Sequence, residues 1–401
     1  MIITPAQRTL SVKPYYFSVK NPEIAALSAE RVARGEDPVI NLGIGSPDRM
    51  PPQEAIDELC RTAQLPDSHK YQNYRGLPEL RKAFAQWYER YYGVTIDPET
   101  EIQPLMGSKE GILLISLAFV NPGDKVLVPD PGYPTYTSAS RLVDAEILTY
   151  DLKEENGWMP DYQALEKMDL EGVKLMWTNY PNMPTGTPAA PDTYRRLVEF
   201  GRKHNILIVN DNPYSFILND SPRSILAEEG ARECCLEMNS LSKAHNMSGW
   251  RIGMVCGDKD YVAQILKVKS QMDSGMFRSM QLAAVKALSQ GPEWFEKLNA
   301  GYKARLKKVC ELFDVLGVSY NPDSQGLFVW GKVSPDNAFL SADTSKTLGE
   351  RVSDKLLYEA GVFVTPGMVF GKNGNDYIRA SLCATESLLD KAISKVKYID
   401  R

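Results

Sequence analysis

Histidine is scarce in this chain. His69, His204 and His245 are the only three among 401 residues, and they lie far apart in sequence. That spacing offers no metal-ligand pair. Six cysteines occur, Cys60, Cys234, Cys235, Cys256, Cys310 and Cys383, without C-x-x-C spacing. The adjacent pair at 234 and 235 makes a poor disulfide framework, so reduced thiols in a cytoplasmic setting are expected. Long hydrophobic runs are missing too. The longest, Ile112 to Val120, is broken by Ser116 and falls far short of the roughly 20 residues of a membrane helix. It reads instead as a helix buried on all sides. The first eight residues lack the charged-then-apolar pattern of a secretory signal. No basic tract occurs and the formal net charge is -5, which argues against a nucleic-acid surface. Neither a membrane nor a nucleic acid is therefore an expected partner. No internal repeat or low-complexity linker interrupts the chain.

What is present is ordinary globular composition, 43% apolar and 24% charged, over a length that suits two domains. Short apolar runs at 125–129, 173–178 and 206–209 read as strands, each followed by polar or Pro/Gly residues. Residues 191–201 read as a helix with Gly201 as its stop, and about 259–290 as one long helical stretch. Beyond it, 302–316 and 348–360 read as helices, the second stopped by Gly361. Residues 326–330, 362–365 and 377–381 read as strands. This alternation predicts an α/β protein: a large domain with a mostly parallel sheet covered by helices, plus a smaller α/β domain. The expected divisions are an N-terminal arm that belongs partly to the small domain (1–45), a large domain (46–290) and a small C-terminal domain (291–401).

Lys243 is the most informative residue. It follows Ser240 and Ser242 and precedes Arg251 by eight positions. Its amine suits a Schiff base with a carbonyl, and the hydroxyls and arginine suit an anion beside it. Together they point to an aldehyde cofactor carrying a phosphate, for which pyridoxal phosphate is the natural candidate. The alternative is a solvated surface lysine near a surface arginine. Five other segments bear on that choice. Gly107, Ser108 and Lys109 precede the apolar helix, where backbone N–H groups form an anion site or simply a cap. Tyr133 sits in a proline-fixed loop after a strand, as a stacking platform or a packed turn residue. Asn182 offers an amide in a Pro/Gly loop. Asp211 closes a strand, as partner of a protonated pyridine nitrogen or as a helix cap, with Tyr214 able to donate to the ring's phenolic oxygen. Arg379, on an apolar strand, needs an anion, either a substrate carboxylate or an internal acid.

In this order the segments resemble the class I/II aminotransferases, the large fold-type-I family of pyridoxal-phosphate enzymes. Residues 41–48, 71–81 and 365–371 add to the resemblance, which runs from about Asn41 to Arg379. It implies that Lys243 carries the cofactor as a Schiff base and later moves a proton at the substrate α-carbon. It implies that Asp211 holds the pyridine nitrogen, Tyr214 donates to the phenolic oxygen, and Tyr133 stacks on the ring. Ser108, the Lys109 backbone, Ser240, Ser242 and Arg251 would line the phosphate. Tyr71 would reach it from a second subunit, which implies a homodimer with shared active sites. Arg379 would grip the substrate carboxylate, and Gly45 would pass close by with its backbone.

One departure stands out. The family loop usually reads Asn-Pro-Thr-Gly, and the aligned position here is Met183, which cannot donate a hydrogen bond. Either Tyr214 acts with less help, or Asn182 or Asn179 substitutes. Arg278 is a candidate second cation for a dicarboxylate substrate, or a surface or phosphate-side arginine. Residues 14–17 and 40–45 resemble the aspartate, alanine and LL-diaminopimelate branches without choosing among them. The resemblance implies ping-pong transfer of an amino group between an amino acid and a 2-oxo acid. The alternatives are β- or γ-elimination on the same fold, and a non-catalytic cofactor-binding regulator.

Overall fold

β-branched and aliphatic runs bounded by turn residues build a seven-stranded sheet. The computed structural model describes residues 2–399; residue 1 and residues 400–401, at the outer ends of the expected first and last domains, lie outside the described residues. The strands are β1 (Ile102–Leu105), β2 (Lys125–Asp130), β3 (Glu146–Asp151), β4 (Val173–Thr178), β5 (Leu207–Asp211), β6 (Cys235–Ser240) and β7 (Gly253–Gly257), in spatial order β1-β7-β6-β5-β4-β2-β3. Strands β2 to β6 pair in parallel, and β7 runs antiparallel to both β6 and β1. Every residue of β1, β5, β6 and β7 is buried, as expected of strands covered on both faces. Register places Thr178 beside Asn210 and Asp211 beside Met238. The carboxyl ends of β4, β5 and β6 therefore lie side by side, where ligands of open α/β sheets bind.

Three helical expectations need correction. The helix expected to stop at Gly201 runs Thr193–His204 and ends at Asn205, which takes the left-handed conformation with φ 56°. Gly201 is instead a packing residue: a Cβ there would lie 2.8 Å from Ile208 Cγ1 and 2.9 Å from the Ile206 carbonyl. The stretch 259–290 is two helices, Lys259–Lys269 and Arg278–Leu288, separated by a loop holding Gly275 at φ +88°. The apolar helix Ser108–Phe119 is not buried all round, since Leu117 is 43% exposed.

The C-terminal part forms an antiparallel sheet in the order Thr365–Pro366, Tyr377–Ser381, Phe328–Lys332, Ser319–Tyr320. The expected strand at 362–365 is split, because Val362–Phe363 pairs elsewhere, in parallel with Ile40–Asn41. Helix Tyr16–Ala33 packs its Ile24 against Leu357 and Phe363. Residues 16–42 are thus fastened to the C-terminal part, and the chain then runs on through Gly43 and Gly45 toward the carboxyl ends of the large sheet. Among the described residues no helix is long and apolar enough to cross a membrane, and no His/Cys/Asp/Glu cluster could hold a metal.

Gly201→Ala tests this packing. An exposed helical glycine gains up to about 1 kcal/mol on replacement by alanine, but overpacking against Ile208 should reverse the sign and lower stability by about 1–3 kcal/mol. Urea unfolding of the two proteins measures the difference, and a stabilised variant would contradict the packing.

Candidate active site

A cavity of about 370 Å³ opens where the carboxyl ends of β1, β4, β5 and β6 face the C-terminal sheet. Three buried ionisable groups project into it. Asp211 closes β5, is 5% exposed, and accepts a hydrogen bond on Oδ2 from the Tyr136 hydroxyl at 3.0 Å. Its Oδ1 has no hydrogen-bond partner among the described residues. Burial pushes the Asp211 carboxyl up to about 7, against the lowering influence of Tyr136 and Lys243. Tyr136 is held by parallel stacking on Trp177, with ring centroids 5.2 Å apart.

Lys243 follows β6 on a tight turn, and its Nζ donates to the Gly45 carbonyl at 2.6 Å. Burial brings its amine down to about 8, with Cys383 opposing and Arg379 and Arg251 assisting. A neutral amine is thus accessible near physiological pH, where an ordinary lysine is almost wholly protonated. Gly45 approaches closely enough that a Cβ would lie 2.6 Å from Phe328 Cζ.

Arg379 lies mid-strand in Tyr377–Ser381, opposite Trp330. Its guanidinium packs on Phe328 and Phe370, 3.8 and 4.6 Å from the ring centroids. Nη2 donates to the Gly43 carbonyl at 2.9 Å, Nη1 meets only the Met183 sulfur at 3.3 Å, and Nε has no partner. No carboxylate pairs with it among the described residues, and burial lowers it to about 10. A buried arginine so poorly paired is costly unless a ligand supplies the anion.

The opposite end of the cavity suits an oxyanion. Gly107, at φ +82°, precedes the helix that begins at Ser108, and the Arg251 guanidinium lies directly over it where a Cβ would collide. Arg251 itself adopts φ 55°, with Nη1 donating to the Ser248 carbonyl at 2.8 Å. Ser108 and Ser240 lie together beside Gly253, and Ser242 also lines the cavity.

The structure therefore gathers Gly45, Ser108, Lys109, Tyr133, Asp211, Tyr214, Ser240, Ser242, Lys243, Arg251 and Arg379 around one cavity. Lys109 brings its side chain to the lining, the ammonium lying 4.7 Å from the Tyr15 ring centroid. Asn182 does not join them. Its Nδ2 donates to the Asn179 carbonyl at 3.2 Å and its Oδ1 accepts from Thr185 N and Oγ1, so the amide is spent folding its own loop. Asn179 does line the cavity, but its Nδ2 donates to the Asp211 carbonyl at 2.5 Å and its Oδ1 accepts from Met183 N. Neither asparagine stands in simply for the missing donor at Met183. Tyr71 is 91% exposed and away from the cavity of its own chain, and Arg278 also lies outside the lining. Sequence reasoning missed Tyr15, Phe17, Phe328 and Phe370. Tyr136 stood in the Tyr133 loop, and its value as Asp211's donor was legible only after β5 and the helix Pro134–Leu142 were placed together.

The residues fit pyridoxal phosphate. Asp211 Oδ1 is an unpartnered buried acceptor for a ring N–H, Lys243 is an amine for an aldehyde, and the Gly107 cradle with Arg251 suits a phosphate. Residues 37–396 match the family described as Aminotransferase class I and II. This chain belongs to that family. The aminotransferase is 39% identical over 393 residues to an LL-diaminopimelate aminotransferase of Dehalococcoides mccartyi, covering 98% of this chain and 97% of the relative. It is 39% identical to another from Aquifex aeolicus, covering 98% of each. Among solved structures, substrate-bound BacF from Bacillus subtilis superposes with a TM-score of 0.89 at 34% identity over 99% of this chain and 98% of that one. A double mutant of Thermus thermophilus aspartate aminotransferase gives 0.87 at 26% identity, covering 98% and 99%. The aminotransferase is thus a pyridoxal-phosphate-dependent transferase, and these comparisons lend no support to the elimination reading.

Gly107→Ala should displace the Arg251 guanidinium and weaken cofactor retention by about tenfold or more, the loss of one charge-assisted contact. Equilibrium dialysis of the cofactor against the variant measures this. Unchanged retention would remove Arg251 from the phosphate end.

Proposed function

We propose that Lys243, Asp211, Tyr214 and Arg379 perform the amino transfer, with LL-diaminopimelate as amino donor and a 2-oxo acid as acceptor. Pyridoxal phosphate, when bound, supplies an aldehyde carbon and an electron-accepting ring. Lys243 is held by Gly45 at the cavity floor and, with its lowered affinity for protons, serves as the base at the substrate α-carbon. Asp211 holds the ring nitrogen's proton through Oδ1, and Tyr136 keeps the carboxylate aimed. Tyr214 donates at the phenolic oxygen, without help from Met183. Ser108, Ser240, Ser242 and Arg251 hold the phosphate. Arg379 takes the α-carboxylate, and the buried guanidinium left without an acid is the observation that carries this reading.

Two observations support a donor with a second anionic group. Relatives 37–39% identical over nearly their whole length are named LL-diaminopimelate aminotransferases. Lys109, with no carboxylate partner among the described residues and with its ammonium over Tyr15, adds a cation to the cavity beyond Arg379 and Arg251. Arg278 does not line the cavity of its own chain. A second reading rests on the wall formed by Phe17, Ile44, Phe328 and Phe370, which favours a neutral apolar donor. The exposed Tyr71 and six free cysteines fit a homodimer in the cytoplasm.

Single half-reactions decide among donors. Each amino acid is mixed with the holoenzyme and the change in cofactor absorbance recorded. LL-diaminopimelate should react fastest; a faster apolar amino acid would favour the second reading, and no reaction with any amino acid would end the proposal. Arg379→Ala should raise the donor's KM by about a hundredfold, as expected from losing a bidentate charge-assisted pair of about 3 kcal/mol.

A further inference from the structure

Asp130 closes β2 three residues before Tyr133, is 5% exposed, and does not line the cavity. A buried carboxylate is retained only where hydrogen bonds offset its desolvation. The donors here are backbone N–H groups of one turn in the C-terminal part: Lys372 N reaches Oδ2 at 3.1 Å and Asn373 N reaches Oδ1 at 3.0 Å. The turn returns the contact, Asn373 Nδ2 donating to the Asp130 carbonyl and to Asp151 Oδ1, each at 2.9 Å. Gly132 N, one residue before Tyr133, donates to the Phe370 carbonyl at 2.8 Å. Gly371, at φ +136°, lies so close to the Asp130 carboxylate that a Cβ would collide with it. The segment carrying the stacking candidate Tyr133 and the segment carrying Phe370 are therefore clasped together, and Phe370 is one of the two faces on which Arg379 rests.

We propose that Asp130 is a positioning residue for substrate carboxylate binding: by clasping residues 370–373 to the end of β2, it fixes the Phe370 face and with it the aim of the Arg379 guanidinium. The inference rests on the reading of Arg379 as the carboxylate-binding group. Asp130 touches neither end of the cavity. Its effect therefore belongs in the donor's KM and not in cofactor binding, because a displaced guanidinium loosens its hold on the carboxylate in the ground and transition states alike.

Asp130→Ala and Gly371→Ala, which attack the clasp from its two sides, are compared with the wild-type holoenzyme using the amino acid that reacts fastest in the half-reaction panel. Each should raise the donor's KM about tenfold, with kcat changed by less than about twofold and the cofactor absorbance band unchanged. Asp130→Asn keeps one acceptor oxygen and should fall between. A wild-type KM in both, or kcat falling in step with cofactor loss, would overturn the proposal. If the Asp130 variants fail to fold, Asn373→Ala is judged by the same KM criterion, since it removes the two side-chain bonds and leaves the carboxylate in place. Arg379→Ala is run beside them. If its KM does not rise, the carboxylate reading has failed. If it rises while the clasp variants stay at wild type, the positioning role has failed.

Discussion

Burial of charge without counter-charge is the constraint on which this site depends. Asp211, Lys243 and Arg379 face one cavity, yet no ion pair joins any of them to another residue among those described. Each is displaced from its ordinary protonation behaviour, Asp211 upward to about 7, Lys243 downward to about 8 and Arg379 downward to about 10, and burial is the leading cause each time. Elsewhere in the same chain, buried charges are neutralised or hydrogen-bonded on every oxygen: Lys269 meets both Glu110 and Asp273, Arg305 meets Asp48, and Asp130 and Glu237 accept hydrogen bonds on both carboxylate oxygens. The contrast marks the cavity as a place where ligands supply the missing charges. A cofactor with a cationic ring nitrogen and an anionic phosphate, and a substrate with a carboxylate, are complementary to that pattern.

The fold maintains the constraint by holding each group from behind. Asp211 is fixed by Tyr136, which Trp177 fixes in turn. Lys243 is tethered to the Gly45 carbonyl, a contact available because the Ile40–Asn41 pairing with Val362–Phe363 fastens the segment that leads into it. Arg379 is supported by ring faces and one carbonyl, an arrangement that holds the guanidinium while leaving donors free. Such supports allow tight aim without neutralising the charge that ligands need.

Three of the seven strands of the large sheet, β2, β4 and β5, were legible because their signals are local. Their apolar, partly β-branched runs announce themselves and Asp211 closes the last of them, whereas Lys243 was legible from its flanking serines and Arg251. Features fixed by tertiary contact were not legible. The helical pattern from 259 to 290 is continuous, and its interruption near Gly275 reflects packing against Gln72 and a positive φ. Gly201 reads as a helix stop but is small because Ile208 and the Ile206 carbonyl press on it. Asn182 has the composition of a ligand residue, yet hydrogen bonds within its own loop consume it. Phe328 and Phe370 carry no sequence signal for their place against Arg379, because register and a turn more than 40 residues apart bring them there.

The unpaired carboxyl of Asp211 tests the central claim most directly. Its folded-state pKa is raised, so the group is protonated well below about 7 and ionised well above it. Infrared difference spectroscopy of the protein with and without pyridoxal phosphate, below that midpoint, should show loss of a protonated carboxyl band and gain of a carboxylate band when the cofactor binds. The change should vanish in Asp211→Asn. A spectrum showing no ionisation on cofactor binding, or the same change in the variant, would contradict the account.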